Sequence, residues 1–289
     1  MTTVAFIGLV IMGRPMAGNL AKAGFDVVGY NRTPKAVDGV EVAESIAEAV
    51  AQADVIVTMV PDSPDVEEVL AGPDGVFAHA GKGALIIDFS SIRPDVSARL
   101  AAQGAEHGLR VLDAPVSGGE QGAVDAALSI MVGGAAEDFE AAKPVLEAVG
   151  RTIVHVGPAG SGQTVKAANQ LIVAGTLELV SEAIVFLEAY GVDTEAAVKV
   201  LAGGLAGNTI LQRKAPAMLA RDFTPGFRIA LHHKDMGIVT AAAREAGVVI
   251  PLGAVVAQLI AALNAQGDGG LDHSALLKLV SQLSGRLEK

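Results

Sequence analysis

Cysteine is absent from the 289 residues, which excludes disulfides and thiolate chemistry and makes a cytoplasmic setting the expectation. Basic runs are missing too. With 21 Lys and Arg against 32 Asp and Glu the formal net charge is -11, which argues against a nucleic-acid partner and leaves any anionic ligand to be held by local groups. No basic segment precedes the apolar run that opens at Val4, so no signal peptide is expected. The longest nearly uncharged stretch, Ala246 to Leu263, is interrupted by Pro251, Gly253 and Gln258 and has no flanking aromatic belt. It reads as a buried helix, and no membrane partner is expected. Internal repeats and low-complexity segments are also lacking.

A chain that is 51% hydrophobic and 18% charged is a well-buried globular protein, and its length suits two domains. The N-terminal part alternates strand and helix signals. Val4-Ala5-Phe6-Ile7 is a short apolar strand that runs into Gly8-Leu9-Val10-Ile11-Met12-Gly13, and Pro15 then suits the first turn of a helix. Gly8 and Gly13 match the first and third positions of a dinucleotide fingerprint, with Val10 at the middle one. A tight turn between strand and helix explains the glycines about as well. A valine there adds a Cβ and two methyl groups where backbone must come close to the pyrophosphate, and a β-branched residue also poorly tolerates the positive φ that glycine can adopt, so Val10 is expected to weaken cofactor binding.

After the second strand, Phe25 to Tyr30, no acidic residue stands where one would bond the ribose of NAD. The chain has Asn31-Arg32-Thr33 instead, and an arginine can clamp a 2'-phosphate, which favours NADP while leaving NAD possible. An ordinary exposed turn arginine is the other explanation. Further buried strands end at Val60-Pro61 and at Ser90-Ser91, and in a doubly wound sheet ligands bind at the carboxyl ends of the strands. Leu109 to Asp113 leads into Ser117-Gly118-Gly119, which offers a hydroxyl and bare N–H groups to an anion or is a plain glycine loop.

The stretch from about Gly162 to Tyr190 has helical spacing, with Gly191 as a stop. Lys166 falls in its first turn, where the helix dipole disfavours a cation by a few tenths up to about 1 kcal/mol. Asn169 lies one turn on, and Gln170 shares the lysine's face. Charge, amides and open backbone at Gly160 and Gly162 together suit a substrate that carries a carboxylate. Beyond Val192 the strand signals stop. The expected organisation is a nucleotide-binding domain over 1–161, a long helix over 162–191 and an all-helical domain over 192–289. In the last of these His232 and His233 are adjacent and cannot share a helix face, and no third ligand is spaced for a metal.

Phe6-Ile7-Gly8-Leu9 with Met12-Gly13, the run Asp113 to Gly119, the Gly160 to Asn169 stretch and Lys234-Asp235 resemble the beta-hydroxyacid dehydrogenase family over essentially the whole chain. The resemblance implies an N-terminal Rossmann domain, doubly wound on a mostly parallel sheet, joined by a long helix to an all-α C-terminal domain, as in 6-phosphogluconate dehydrogenase. It also implies an NAD(P)-dependent oxidoreductase acting on small aldehyde or hydroxy acids, and association as a homodimer or homotetramer. Carried onto this sequence, Lys166 is the general acid, and Ser117, Gly118, Gly119, Asn169 and Gln170 surround the substrate. The cofactor falls to Gly8, Leu9, Val10, Ile11, Met12, Gly13, Asn31, Arg32, Thr33, Val60, Pro61, Ser91, Phe227 and Lys234. Gly203 to Asn208, Pro225 to Ile229 and Asp272 to Ala275 resemble the branch that reduces tartronate semialdehyde more than the branch that oxidises 3-hydroxyisobutyrate.

Overall fold

A computed structural model describes residues 1–286, and the chain divides after Lys166 into two compact units. In the first, six strands run parallel in the order β3 (Glu41–Val42), β2 (Asp26–Tyr30), β1 (Thr3–Ile7), β4 (Val55–Thr58), β5 (Leu85–Asp88) and β6 (Arg110–Asp113). The order reverses at β1, so the carboxyl ends of β1 and β4 flank the crevice where such sheets bind ligands. Beyond β6 the sheet changes direction. β6 and β7 (Val116–Ser117) both pair antiparallel with β8 (Leu128–Gly133), and β9 (Gly150–Gly157) pairs parallel with β8.

The two-residue period of the strands sorts their side chains onto two cores. Val4, Phe6, Val57 and Ile87 lie on one face with Met16 and Leu20 of α1 (Gly13–Lys22) and with Val145 and Leu146, further along the chain. Ala5, Ile7, Ile56 and Ile86 lie on the other. There they meet α2 (Ile46–Val50), α3 (Ser63–Ala71), α4 (Val76–His79) and α5 (Pro94–Glu106). A short helix, α6 (Gly119–Val124), follows β7, and α7 (Ala136–Glu147), which carries Val145 and Leu146, connects β8 to β9. The strands expected from the apolar runs are present. β3 and β7 had no sequence signal, because two residues carry no periodicity and Glu41 and Val42 are exposed.

The long helix is α8 (Ser161–Ala189), followed by Gly191 at φ 69°, a left-handed stop that suits glycine. By length and composition α8 could cross a membrane, but its stripe of Ala174, Leu177, Val180 and Ile184 packs into the helical unit's own cores. That unit continues with α9 (Thr194–Ala202), α10 (Thr209–Leu219), α11 (Ile229–Glu245), α12 (Pro251–Ala265) and α13 (Leu276–Leu283). Asp193 and Asn208 cap α9 and α10 by accepting the N–H of Ala196 and Leu211. The run Ala246 to Leu263 is not one buried helix. Proline restricts the residue before it, so α12 starts only at Pro251, and Val248 and Val249 ahead of it are exposed. Within α12 only one face, with Val256, Ile260 and Leu263, enters the core.

Candidate active site

The glycine turn after β1 is built by close approach. A Cβ on Gly8 would stand 2.2 Å from the Met59 carbonyl oxygen, and one on Gly13 would stand 1.9 Å from the Gly8 carbonyl oxygen. Neither position admits a side chain. The Gly8 N–H donates to the Tyr30 carbonyl and the Leu9 N–H to Asn31 Oδ1, while Asn31 Nδ2 donates to the Thr33 carbonyl. Asn31 therefore ties the turn to the segment after β2. Leu9, fully buried, braces the turn from beneath.

Helical bonding begins with the Arg14 N–H on the Val10 carbonyl, so the amides ahead of Arg14 have no partner within the helix. A helix N-terminus of this kind receives phosphate. It opens on a cleft of about 560 Å³ whose lining includes Val10, Ile11, Arg14, Lys22 and Lys35. Asp38 and Glu120 line the same cleft, so its three cations outnumber its two carboxylates, and with the close turn and the helix end they fit a dinucleotide. Val10 and Ile11 are exposed and Met12 is half-buried. Among the described non-glycine residues only Ala126 and Arg221 have positive φ, so Val10 does not. The expectation that a valine would strain a left-handed turn is corrected by that backbone: the positive φ falls on Gly8, 105°, and position 10 lies at negative φ in the turn ahead of α1. Arg32 and Thr33 are exposed, and Arg32 has no hydrogen bond or ion pair among the described residues.

The strand ends beside this turn carry a polar row: Thr58, Asp88 and Asp113 are register partners on β4, β5 and β6. Thr58 Oγ1 and the Ser90 N–H both donate to Asp88 Oδ1, and the Val60 N–H donates to Ser90 Oγ. Val60 and Pro61 are held in this way. Asp88 Oδ2 is buried with no partner among the described residues. Burial pushes the Asp88 carboxyl up to about 6, assisted by the charge of Asp113 and opposed by its hydrogen bonds.

Asp113 does different work. Its Oδ1 accepts the Gly160 N–H at 2.7 Å and its Oδ2 the Gln163 N–H at 2.9 Å, so β6 caps the first turn of α8. Burial raises the Asp113 carboxyl and these N–H groups pull it back down. A carboxylate at a helix N-terminus is favoured by the partial positive charge there, whereas Lys166 is the sixth residue of α8 and lies in its second turn, beyond the first-turn position expected from a start at Gly162. Gly162 lets the capping approach happen, since a Cβ on it would stand 2.7 Å from Asp113 Oδ2. Gln163 is fully engaged, donating Nε2 to the Ser90 carbonyl and accepting the Ile92 N–H, so the start of α8 is tied to the loop that carries Ser91.

Lys166 is buried, and its Nζ donates to the Val116 carbonyl at 2.7 Å. That carbonyl immediately precedes Ser117-Gly118-Gly119. The structure thus brings the lysine and the proposed anion loop together, although they lie about 50 residues apart in sequence. Ser117 is half-buried, and Gly118 and Gly119 are exposed at φ 144° and 68°, values that glycine alone adopts readily. Sequence reasoning missed Thr58, Asp88, Asp113 and Gln163 as site builders. The signal available was a polar residue closing each apolar strand.

In the second unit, Asn169 Nδ2 donates to Gln170 Oε1, Gln170 Nε2 donates to Asp235 Oδ2, and Lys234 pairs with Asp235 Oδ1 at 2.8 Å. Gln170 was read as a substrate contact, but it is buried with both ends of its amide engaged. Phe227 is set by Asp272, whose Oδ2 accepts the Phe227 N–H at 3.0 Å, and its ring meets His232 and His273 edge-on. His232 is buried against His273, Nδ1 to Nδ1 at 3.1 Å, while His233 faces outward. No group of three metal-ligating side chains occurs among the described residues.

Residues 3–157 match the NAD binding domain of 6-phosphogluconate dehydrogenase, and residues 160–280 match the NAD-binding domain of NADP-dependent 3-hydroxyisobutyrate dehydrogenase. The chain is 43% identical over 288 residues to the 2-hydroxy-3-oxopropionate reductase of Escherichia coli, covering 97% of this chain and 98% of that one. It is 37% identical to the NAD-dependent L-serine dehydrogenase of Pseudomonas aeruginosa over 99% of this chain and 100% of the other. A solved structure of the Mycobacterium tuberculosis 3-hydroxyisobutyrate dehydrogenase with L-serine superposes with a TM-score of 0.88 at 37% identity, covering 96% of this chain and 98% of that one.

Proposed function

The chain belongs to the beta-hydroxyacid dehydrogenase family and is an NAD(P)-dependent oxidoreductase, and from that premise we propose that it reduces tartronate semialdehyde to D-glycerate with NADPH. The observation that carries the reading is the 2.7 Å bond from Lys166 Nζ to the Val116 carbonyl, because it sets an ammonium beside the Ser117-Gly118-Gly119 loop. The similarity to the Escherichia coli reductase supports the substrate.

Ser117 and the Gly118 and Gly119 amides bind the substrate carboxylate, and Asn169, one turn along α8 from the lysine, orients the carbon chain. When bound, the nicotinamide would supply the hydride for the aldehyde carbon. As the carbonyl electron pair moves onto oxygen, Lys166 stabilises the growing charge and transfers a proton to that oxygen; in the oxidative direction its neutral amine accepts the proton from the hydroxyl. Asp113 and Gln163 position the lysine by fixing the start of its helix. Val10 to Gly13 and Arg14 would hold the pyrophosphate, Arg32 and Thr33 the 2'-phosphate, and Val60, Pro61 and Ser91 the nicotinamide half. Phe227 and Lys234 are assigned to the cofactor by the resemblance.

A spectrophotometric panel of small aldehyde acids with NADPH and NADH tests this reading. Tartronate semialdehyde with NADPH is expected to give the highest kcat/KM. A higher value with the methyl-bearing semialdehyde of the 3-hydroxyisobutyrate reaction, or with succinic semialdehyde, replaces the substrate assignment.

A further inference from the structure

The hydrogen bonds that run from Asn169 to Lys234 have a direction that chemistry alone dictates. A carboxylate only accepts. Asp235, paired through Oδ1 with the Lys234 ammonium, must therefore receive the amide N–H of Gln170 on Oδ2. That turns Gln170 Oε1 toward Asn169, and an amide facing an acceptor must present its Nδ2. Which way an asparagine amide points is set by such a network. Here every link has one solution, so Asn169 cannot flip without placing two acceptors face to face, with its Oδ1 against Gln170 Oε1. Gln170 and Asp235 are buried, which raises the cost of leaving any of these bonds unmade.

The consequence falls on Asn169 itself. It is half-buried, and its Oδ1 makes no hydrogen bond among the described residues. An asparagine fixed in this sense offers a carbonyl acceptor, and an acceptor recognises a hydroxyl where it gains nothing from a methyl group. Resting on the proposed reductase reading, we infer that Gln170 and Asp235 are positioning residues for substrate choice. By locking the Asn169 amide they present Oδ1 to the hydroxyl at C2 of a 2-hydroxy-3-oxo acid, and so separate it from the 2-methyl-3-oxo acid of the same size. Gln170 does not touch the substrate; it acts through Asn169.

The test compares kcat and KM for 2-hydroxy-3-oxopropanoate and 2-methyl-3-oxopropanoate, with NADPH, in the full-length enzyme. Gln170→Met keeps the length of the side chain and removes both bonds. Asp235→Asn is isosteric and replaces the one-way acceptor with a group that can face either way, so it keeps the question open if the methionine variant does not fold. In each variant the preference for the hydroxylated substrate is expected to fall by about tenfold, the scale of one lost hydrogen bond, mainly through its KM. Asn169→Ala is expected to reach the same ratio. An unchanged ratio in Gln170→Met and Asp235→Asn overturns the inference, as does an equal loss on both substrates, which marks a merely structural role. A wild-type enzyme that reduces neither compound overturns the reductase reading and the inference with it. One that reduces both without preference leaves the reaction class standing and overturns the inference alone.

Discussion

The carboxylate of Asp113, at the end of β6, accepts the backbone N–H of Gln163 at 2.9 Å, three residues ahead of Lys166. The start of α8 is therefore registered on the sheet, and Lys166, the sixth residue of the helix and so in its second turn, follows a first turn that a strand residue from another part of the chain holds in place.

Lys166→Ala is expected to lower kcat by about 100-fold or more, the scale for removing a positioned acid, with NADPH affinity within about twofold of wild type. Steady-state kinetics together with a cofactor titration separates the two effects. A near-normal kcat would remove Lys166 from the proposed mechanism.

Arg32 is exposed, and the turn that carries it is fixed by the Asn31 bonds to Leu9 and Thr33. Arg32→Asp should leave that turn intact and move the preference from NADPH toward NADH, because a carboxylate repels a 2'-phosphate and can bond a ribose hydroxyl. The ratio of kcat/KM for the two cofactors, measured at low salt, reports it. Better use of NADH by the wild type would make Arg32 a plain surface residue.

Val10 lies at an ordinary negative φ where the first helical carbonyl is already in use, so no backbone strain remains for a glycine to relieve. Val10→Gly is expected to change NADPH affinity by no more than about threefold. Calorimetric titration of both proteins decides this, and a tightening of about tenfold would show that the valine methyl groups crowd the pyrophosphate.

Asp88 is expected to make the protein's stability fall as pH rises. Its folded carboxyl lies at about 6, above the ordinary value of 3.8, so between these limits the folded state binds more protons than the unfolded one. The stabilisation is complete below the unfolded value and is lost as pH climbs through about 6. Asp88→Asn retains an acceptor for Thr58 and Ser90 without the titration. Relative to wild type the variant should gain on the order of 2 kcal/mol between about pH 4 and about pH 7.5 in urea unfolding. Parallel pH dependences in the two proteins would mean that Asp88 does not titrate in this range.

Much of the fold was legible because apolar periodicity survives tertiary context. Val4 to Ile7, Val55 to Val57 and Leu85 to Ile87 are buried on both faces, so each reads as an unbroken apolar run, and α8 runs from Ser161 to Ala189 where about Gly162 to Tyr190 was expected. The two-residue strands β3 and β7 were not legible, because pairing with β2 and β8 makes them strands and no local pattern records it.

The site divides along the same line. Local chemistry determines which residues can act: a lysine near the start of a helix, glycines that permit close approach, and an arginine where an acid is missing. Whether Lys166 reaches the glycine loop, and that Val10 is unstrained, depends on how strands distant in sequence are registered. The same holds for Gln170, whose role turns on Asp235, 65 residues away, because a side-chain amide takes its direction from whatever acceptor the fold places against it. Composition and spacing carry identity and periodicity; hydrogen-bond direction and backbone dihedrals exist only once the chain has closed on itself, and those decided how the residues are used.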